Sequence, residues 1–596
     1  MDMYGFYAGT IFDAYEYLGS HVTPEGTVFR TFAPGADRID LLCDGRVIPM
    51  QRVHDGNFYE AAVPDIEDGC AYEYRIWQRN GSYVDHCDPY GFGMELRPDH
   101  RSVVRDLGRY TFHDQRWMKR RTSRQNEPLN IYEMHMGSWR RKEDGSWYRY
   151  SELGELLIPY LKKSGYNYVE FLPLGEHPCD ESWGYQMTGF YAPTSRYGTA
   201  EELMELIDQL HQNGIGAILD FVPAHFALDA YGISRYDGTA LYEYPHQDVG
   251  VSEWGSCNFM HSRGEVRSFL QSAANYWLKE YHFDGLRMDA ISRMIYWQGD
   301  ERRGVNGNAV SFLKHMNRGL KSLHPGCILA AEDSTNFPNV TLETEKGGLG
   351  FDYKWDLGWM HDTLEYFQSN PEDRTEKYHK LTFSMMYFRN ERYLLPYSHD
   401  EVVHGKATVL QKMNGQYEQK FPQARAMYLY MMIHPGKKLN FMGNEIGHFR
   451  EWDEKREQDW ELLKYPIHDA FYHYIAELNR LYLTHPAFSE WDYQEQGFTW
   501  LDCHQEERRI YALQRMSGGE RLAAVFNFSE CEQENYRVPI PGVTSVRVLL
   551  YSDWERFGGT TAEHTEVARM EDDELVCTLQ PFSGILLDCC IPDDVI

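Results

Sequence analysis

Apolar positions along the chain follow different periods in turn. Over the first hundred residues they fall in short runs at 27–32, 57–61 and 72–78, the last leading into Asn80-Gly81, a strong hairpin signal. This pattern predicts an N-terminal β-sandwich over residues 1–118. A polar, basic stretch at 119–128 reads as a solvated linker. From Leu129 strand-like runs alternate with helical stripes. Thr199 and Glu202 have capping-box spacing, Leu203, Leu206, Ile207 and Leu210 follow on one face, and Asn213-Gly214 closes the helix before an apolar strand at 215–222. Ser262 and Glu265 read as a second box, opening the stripe Val266, Phe269, Leu270, Ala273 and Trp277 before a strand at 283–288. Strands are expected near 131–136, 168–172, 217–222, 285–289, 328–332, 351–355, 393–397 and 438–442. Eight βα units over residues 129–488 predict an α/β fold, a (β/α)8 TIM barrel with long functional loops, because a plain barrel needs only about 250 residues. After residue 490 the helical period stops. Runs around Trp500 and at 510–513, 522–526, 546–550 and 575–579 predict an all-β C-terminal domain, a second β-sandwich, over 489–596.

Composition narrows the partners. The 59 basic residues against 90 acidic ones give a net charge of −31, which argues against nucleic acid or an anionic membrane as partner and suits an uncharged ligand, although it serves solubility equally well. The 11 cysteines are scattered without a Cys-x-x-Cys pair, so neither a disulfide framework nor a zinc ribbon is expected, and a reducing, cytoplasmic location is. No Lys or Arg precedes Arg30, unlike the charged start of a signal peptide, and the apolar stretch 426–433 is too short to span a membrane.

Four acid-bearing segments, 220–225, 285–289, 331–334 and 398–401, each follow a strand-like run. Residues at the C-terminal ends of barrel strands converge on one mouth. Taken singly, any of these acids could be a helix N-cap. Asp289 is the sharpest candidate: Arg287, two residues earlier on the same strand face, would hold its carboxylate ionised as a nucleophile requires, with a structural ion pair as the plainer alternative. Glu332, in apolar surroundings, suits a proton donor, and Asp333 is its rival. Two such carboxyl groups would make a retaining glycosidase-type pair if the fold sets them about 5–5.5 Å apart. His225, His399 and Asp400 read as binders of sugar hydroxyls, a role for neutral imidazoles and an accepting carboxylate. A zincin reading of His399 and His404 fails on spacing, and neither a metal nor an organic cofactor is expected. Aromatics make up 15% of the chain; Trp183, Tyr185 and Gln186 are read as a sugar subsite, and Trp254 and Trp359 as part of an acceptor platform.

The four segments, with Asn-Ile-Tyr-Glu-Met-His-Met-Gly-Ser-Trp at 130–139, Ser-Trp-Gly-Tyr-Gln at 182–186 and Ser-His-Asp-Glu-Val-Val-His-Gly-Lys at 398–406, resemble the signature regions of the α-amylase superfamily, and in their finer wording its branching-enzyme family. The resemblance extends from about residue 20 to the end. It implies Asp289 as nucleophile, Glu332 as general acid/base and Asp400 as a third carboxylate that orients and distorts the sugar. It further implies Tyr185 stacked on that sugar, His225, Arg287 and His399 lining the subsite, Asp220 as structural support, and a carbohydrate-binding-module-like N-terminal sandwich, although 41–48 departs from the family's Asp-Phe-Asn-x-Trp turn. The implied partner is an α-1,4-glucan such as glycogen, and the implied reaction moves a cleaved segment to a 6-hydroxyl; a monomer is expected. An amylase-like or trehalose-releasing hydrolase on the same fold, or a noncatalytic glucan-binding scaffold, are the alternatives.

Overall fold

A computed structural model describes residues 1–590; residues 591–596 of the expected C-terminal domain lie outside the described residues. At its centre eight strands close into a barrel: β1 Asn130–Met134, β2 Tyr168–Phe171, β3 Gly216–Phe221, β4 Gly285–Met288, β5 Ile328–Ala331, β6 Tyr353–Trp355, β7 Tyr393–Tyr397 and β8 Lys437–Phe441. Neighbours are parallel throughout, and β1 pairs with β8 to complete the ring. All eight expected strands are present.

The interior is layered by the two-residue alternation of strand side chains. Ile131, Tyr168, Ile218, Ile328, Tyr353, Leu394 and Leu439 form an apolar plug. One side-chain step towards the C-terminal ends, four adjacent strands carry Glu133, Glu170, Asp220 and Arg287, all buried. The Arg287 guanidinium lies 4.2 Å over the Trp355 ring, so its apolar face rests on the plug while its N–H edge faces the acids.

Helix Ala200–Gln212 starts as its capping box requires: Thr199 Oγ1 accepts the Glu202 N–H at 3.4 Å and Glu202 accepts the Thr199 N–H at 2.8 Å. The second expected box does not form. Helix Gly264–Glu280 has Arg263 at its N-cap with no side-chain cap, and Arg263 instead donates to Ala240 O at 2.6 Å. Close packing accounts for this start, since a Cβ on Gly264 would stand 1.7 Å from Tyr7 O. Tyr7 belongs to a short N-terminal helix, Met3–Ala8, that docks on this barrel helix: Ser268 Oγ donates to Phe6 O at 2.9 Å, and Asn275 Nδ2 to Phe12 O at 2.8 Å.

The N-terminal region forms two antiparallel sheets. One orders Gly19–Thr23, Gly26–Phe32, Phe58–Val63 and Gln51–Val53; the other contains Arg46–Pro49, Arg38–Cys43, Ala71–Trp77 and Tyr83–His86. The stretch 119–128 is less solvated than its charge suggests. Lys119 and Arg120 are exposed, but Arg121 Nη1 donates to Phe283 O at 3.2 Å. Buried Lys437, paired with Asp492 at 2.9 Å, donates to Gln125 O at 2.8 Å and Glu127 O at 2.9 Å. Those carbonyls clamp the segment to the start of β8. The C-terminal region packs a five-stranded sheet (Phe498–Gln505, Ile510–Met516, Arg521–Asn527, Ser583–Cys590, Ser545–Tyr551) near a three-stranded one. Among the described residues no helix is long and apolar enough to cross a membrane.

Candidate active site

A cavity of about 510 Å³ opens at the C-terminal mouth of the barrel. Asp289, Glu332, Asp400, Tyr185, His225, His399, Trp183 and Gln186 all line it. Arg287 and Asp220 lie beneath its floor, fully buried. Short strands explain the convergence: β4 and β5 end one residue before Asp289 and Glu332, and β7 one residue before the Ser398-His399-Asp400 turn. Two loops build the walls. The segment after β2, braced by the ribbon Gly175–Glu176 with Gly189–Pro193, carries Trp183, Tyr185 and Gln186; the segment after β3, braced by His225–Phe226 with Cys257–Asn258, carries His225 and Trp254.

Arg287 organises the floor. Its Nη1 donates to Asp289 Oδ1 at 2.8 Å and to both Asp220 oxygens at 2.8 Å, whereas its Nη2 stands 3.8 Å from Glu332 Oε2. Glu332 Oε2 accepts the Ala290 N–H at 2.7 Å. Burial, only partly opposed by Arg287, pushes both the Asp289 and the Glu332 carboxyl up to about 7. The two titrate together, and the direct Arg287 contact favours Asp289 as the member that ionises first. Asp333 is not an equivalent rival: it is buried, its Oδ1 accepts from Thr335, and its Oδ2 lies 3.2 Å from Lys354 Nζ.

Tyr185 stacks on His399 with ring centroids 5.6 Å apart and donates its hydroxyl to Asp220. The two imidazoles sit in different surroundings. Burial, aided by Arg293, lowers His225 to about 4. Burial also works against a charge on His399, but the carboxylates of Asp400 and Glu133 outweigh it and raise the imidazole to about 9. Glu133 is the closer partner, accepting the His399 backbone N–H at 2.7 Å and facing its Nδ1 at 3.1 Å. Asp400 is half exposed on the cavity wall, 3.5 Å from His399 Nε2.

The aromatic expectations divide. Trp183 packs on Trp452 (4.8 Å) and His404 (5.4 Å) and donates Nε1–H to Glu454. Trp254 is 45% exposed at the cavity rim beside His225, with the Arg293 guanidinium 4.8 Å over its ring and Gln186 Nε2 3.3 Å from its carbonyl. Trp359 is 1% exposed, packed on Tyr397 and Tyr430, and so forms no part of an acceptor surface. Sequence reasoning missed Glu133, Glu170, Arg293 and His404. For the two glutamates a signal existed: a charge inside a strand that is apolar on both faces.

Residues 2–90 match the family described as alpha-1,4-glucan branching enzyme GlgB, N-terminal domain; residues 156–239 match the alpha amylase catalytic domain, and 500–589 the alpha amylase C-terminal all-beta domain. The 1,4-alpha-glucan branching enzyme GlgB of Bacillus caldolyticus is 42% identical over 574 residues, spanning 94% of this chain and 86% of its own. That of Halothermothrix orenii is 41% identical over 589 residues, spanning 95% and 94%. Among solved structures, a pullulanase from Anoxybacillus sp. LM18-11 complexed with maltotetraose shares the fold with a TM-score of 0.75 at 18% identity, covering 99% of this chain and 90% of that one. A putative alpha amylase from Salmonella typhimurium does so with a TM-score of 0.71 at 19% identity, covering 96% and 99%. Matched along nearly its whole length, the chain belongs to the 1,4-alpha-glucan branching enzyme GlgB family.

Proposed function

We propose that this protein cleaves an α-1,4 bond in a linear glucan, holds the released segment on Asp289, and transfers it to a 6-hydroxyl to create an α-1,6 branch. The observation that carries the mechanism is the asymmetry of Arg287, 2.8 Å from Asp289 and 3.8 Å from Glu332. It supports an ionised Asp289 as nucleophile beside a protonated Glu332, the pairing a retaining double displacement needs. Glu332 protonates the departing glycosidic oxygen, then takes the proton of the incoming 6-hydroxyl. Asp400, half exposed towards the cavity, accepts sugar hydroxyls, and the charged His399 donates to them. His225 stays neutral at the opposite wall.

Transfer must compete with water at about 55 M, and a bound acceptor reaches effective molarities of ~10⁵ M or more when its hydroxyl is held in line. Exposed Trp254, steadied by Arg293, is the surface we assign to that acceptor. Incubating the purified protein with amylose tests the reaction: iodine absorbance should fall and α-1,6 signals appear by NMR, while reducing ends stay nearly constant until a debranching enzyme is added. Reducing ends rising in step with iodine loss, without α-1,6 signals, would make it a hydrolase; binding without bond cleavage would make it a scaffold.

A further inference from the structure

Glu170 occupies the middle of the charged layer beneath the cavity. It is 1% exposed, and no N–H or O–H among the described residues reaches either of its carboxyl oxygens. The groups facing it are Glu133 on β1, Asp220 on β3, Arg287 on β4 and His399 beyond β7. Its two acidic neighbours already have donors. Asp220 takes Arg287 and the Tyr185 hydroxyl; Glu133 takes the backbone N–H and Nδ1 of His399. An ionised Glu170 would therefore be a third carboxylate on three adjacent strands, buried and without a donor, a state that desolvation and like-charge repulsion both oppose. As a carboxylic acid it has one O–H to give. Glu133 is the fitting acceptor: β1 and β2 pair Glu133 directly with Glu170 in register, and each Glu133 oxygen keeps a lone pair after its bond to His399.

We propose that Glu170 is a positioning residue whose protonated carboxyl donates to Glu133, which in turn holds the His399 imidazole against Tyr185 and Asp400. The chain Glu170–Glu133–His399 links the barrel interior to the cavity wall, and its bearing on turnover rests on the glucan-transfer reading of that cavity. Burial, then Glu133 and Asp220, push the Glu170 carboxyl well above the usual range, with Arg287 and His399 opposing.

Two variants separate the proton donor from mere bulk. Glu170→Gln keeps the shape and an N–H to donate; Glu170→Leu keeps volume without a donor. The first should retain kcat on amylose within about threefold and the second should lose at least about tenfold, with KM changing less than about twofold in both. Independently of turnover, the infrared spectrum of the resting protein at neutral pH should show, beside the band of Glu332, a protonated-carboxyl component that is lost in Glu170→Gln, and ¹⁵N NMR should place the His399 ring signals of that variant where wild type has them. An unchanged infrared band would show Glu170 ionised and overturn the proposal, as would a fully active Glu170→Leu or a Glu170→Gln as impaired as Glu170→Leu. Should Glu170→Leu fail to fold, the spectra and the Gln variant still decide. If the protein transfers no glucan at all, the infrared and NMR outcomes stand apart from that failure.

Discussion

Glu332 accepts the backbone N–H of Ala290 at 2.7 Å, which fastens the proposed acid to the chain one residue beyond the proposed nucleophile. Ala290 adopts a left-handed φ of 46°, so the N–H is presented by a turn in which the backbone leaves β4 immediately after Asp289. The same bond favours the ionised form of Glu332, against burial, which favours the protonated one.

Because a Gln side-chain oxygen accepts the same N–H, Glu332→Gln should preserve the geometry and remove only the transferable proton. Activity on amylose should fall by at least about 10³-fold, while reaction of an α-glucosyl fluoride, whose leaving group needs little protonation, falls far less. Steady-state rates on both substrates, with binding of the fluoride checked, decide it: equal losses would remove Glu332 as the acid.

The coupled pair also sets a pH profile. Protonating Asp289 at low pH and deprotonating Glu332 at high pH should give a bell-shaped kcat/KM, its limbs belonging to the pair and flanking the region near 7. Arg287 lowers the Asp289 carboxyl. Arg287→Lys, which keeps a charge but loses the fork, should therefore move the acid limb up by about one pH unit. An unmoved acid limb in a folded variant would mean that Arg287 does not control the nucleophile's ionisation.

Trp254 should govern what the intermediate meets. Its removal in Trp254→Ala leaves the floor carboxylates untouched, so cleavage continues while the acceptor is held less well. The ratio of reducing ends released to α-1,6 links formed should rise at least about tenfold, a modest loss against the effective molarity at stake. A ratio equal to that of the parent protein would assign the acceptor to another surface.

Away from the site, His211 is buried between Asp114 at 2.7 Å and Asp284 at 2.8 Å, joining helix Ala200–Gln212 to the approach to β4. Burial opposes its charge, yet Asp284 and Asp114 raise the imidazole from the ordinary 6.5 to about 9. A raised folded-state value means the stabilisation is complete below 6.5 and is lost as pH rises through about 9. His211→Gln should cost about 3 kcal/mol near neutrality, since it removes the cation that the two buried carboxylates share. Urea midpoints should converge with wild type above pH 9; a gap that stays constant with pH would contradict the charged assignment.

The barrel was legible because each strand is an apolar run bounded by turn signals, and the acids at the strand ends stand out against those runs. What escaped was set by contacts distant in sequence. Ser262 and Glu265 have the spacing of a cap, but Tyr7 and its neighbours, more than 250 residues earlier, pack against the start of that helix. Trp254 and Trp359 look alike as residues in a row; one lies at the cavity rim and the other inside the core. The contact between His399 and Glu133 could not be read from the sequence, because Glu133 belongs to another strand and is drawn near by barrel closure. Glu133 and Glu170 stand in β1 and β2 as isolated charges, but the groups they face are set by barrel closure and could not be read from those strands alone.

The central claim, a covalent glycosyl intermediate on Asp289, is tested most directly by trapping it. A 5-fluoro glucosyl fluoride slows turnover of such intermediates enough for the labelled protein to be digested and sequenced by mass spectrometry. The label should sit on the peptide containing Asp289 and be absent from Asp289→Asn, which should still bind amylose but lose kcat by several orders of magnitude. A label on Glu332 or Asp400, or an Asp289→Asn variant retaining about a tenth of wild-type kcat, would contradict it.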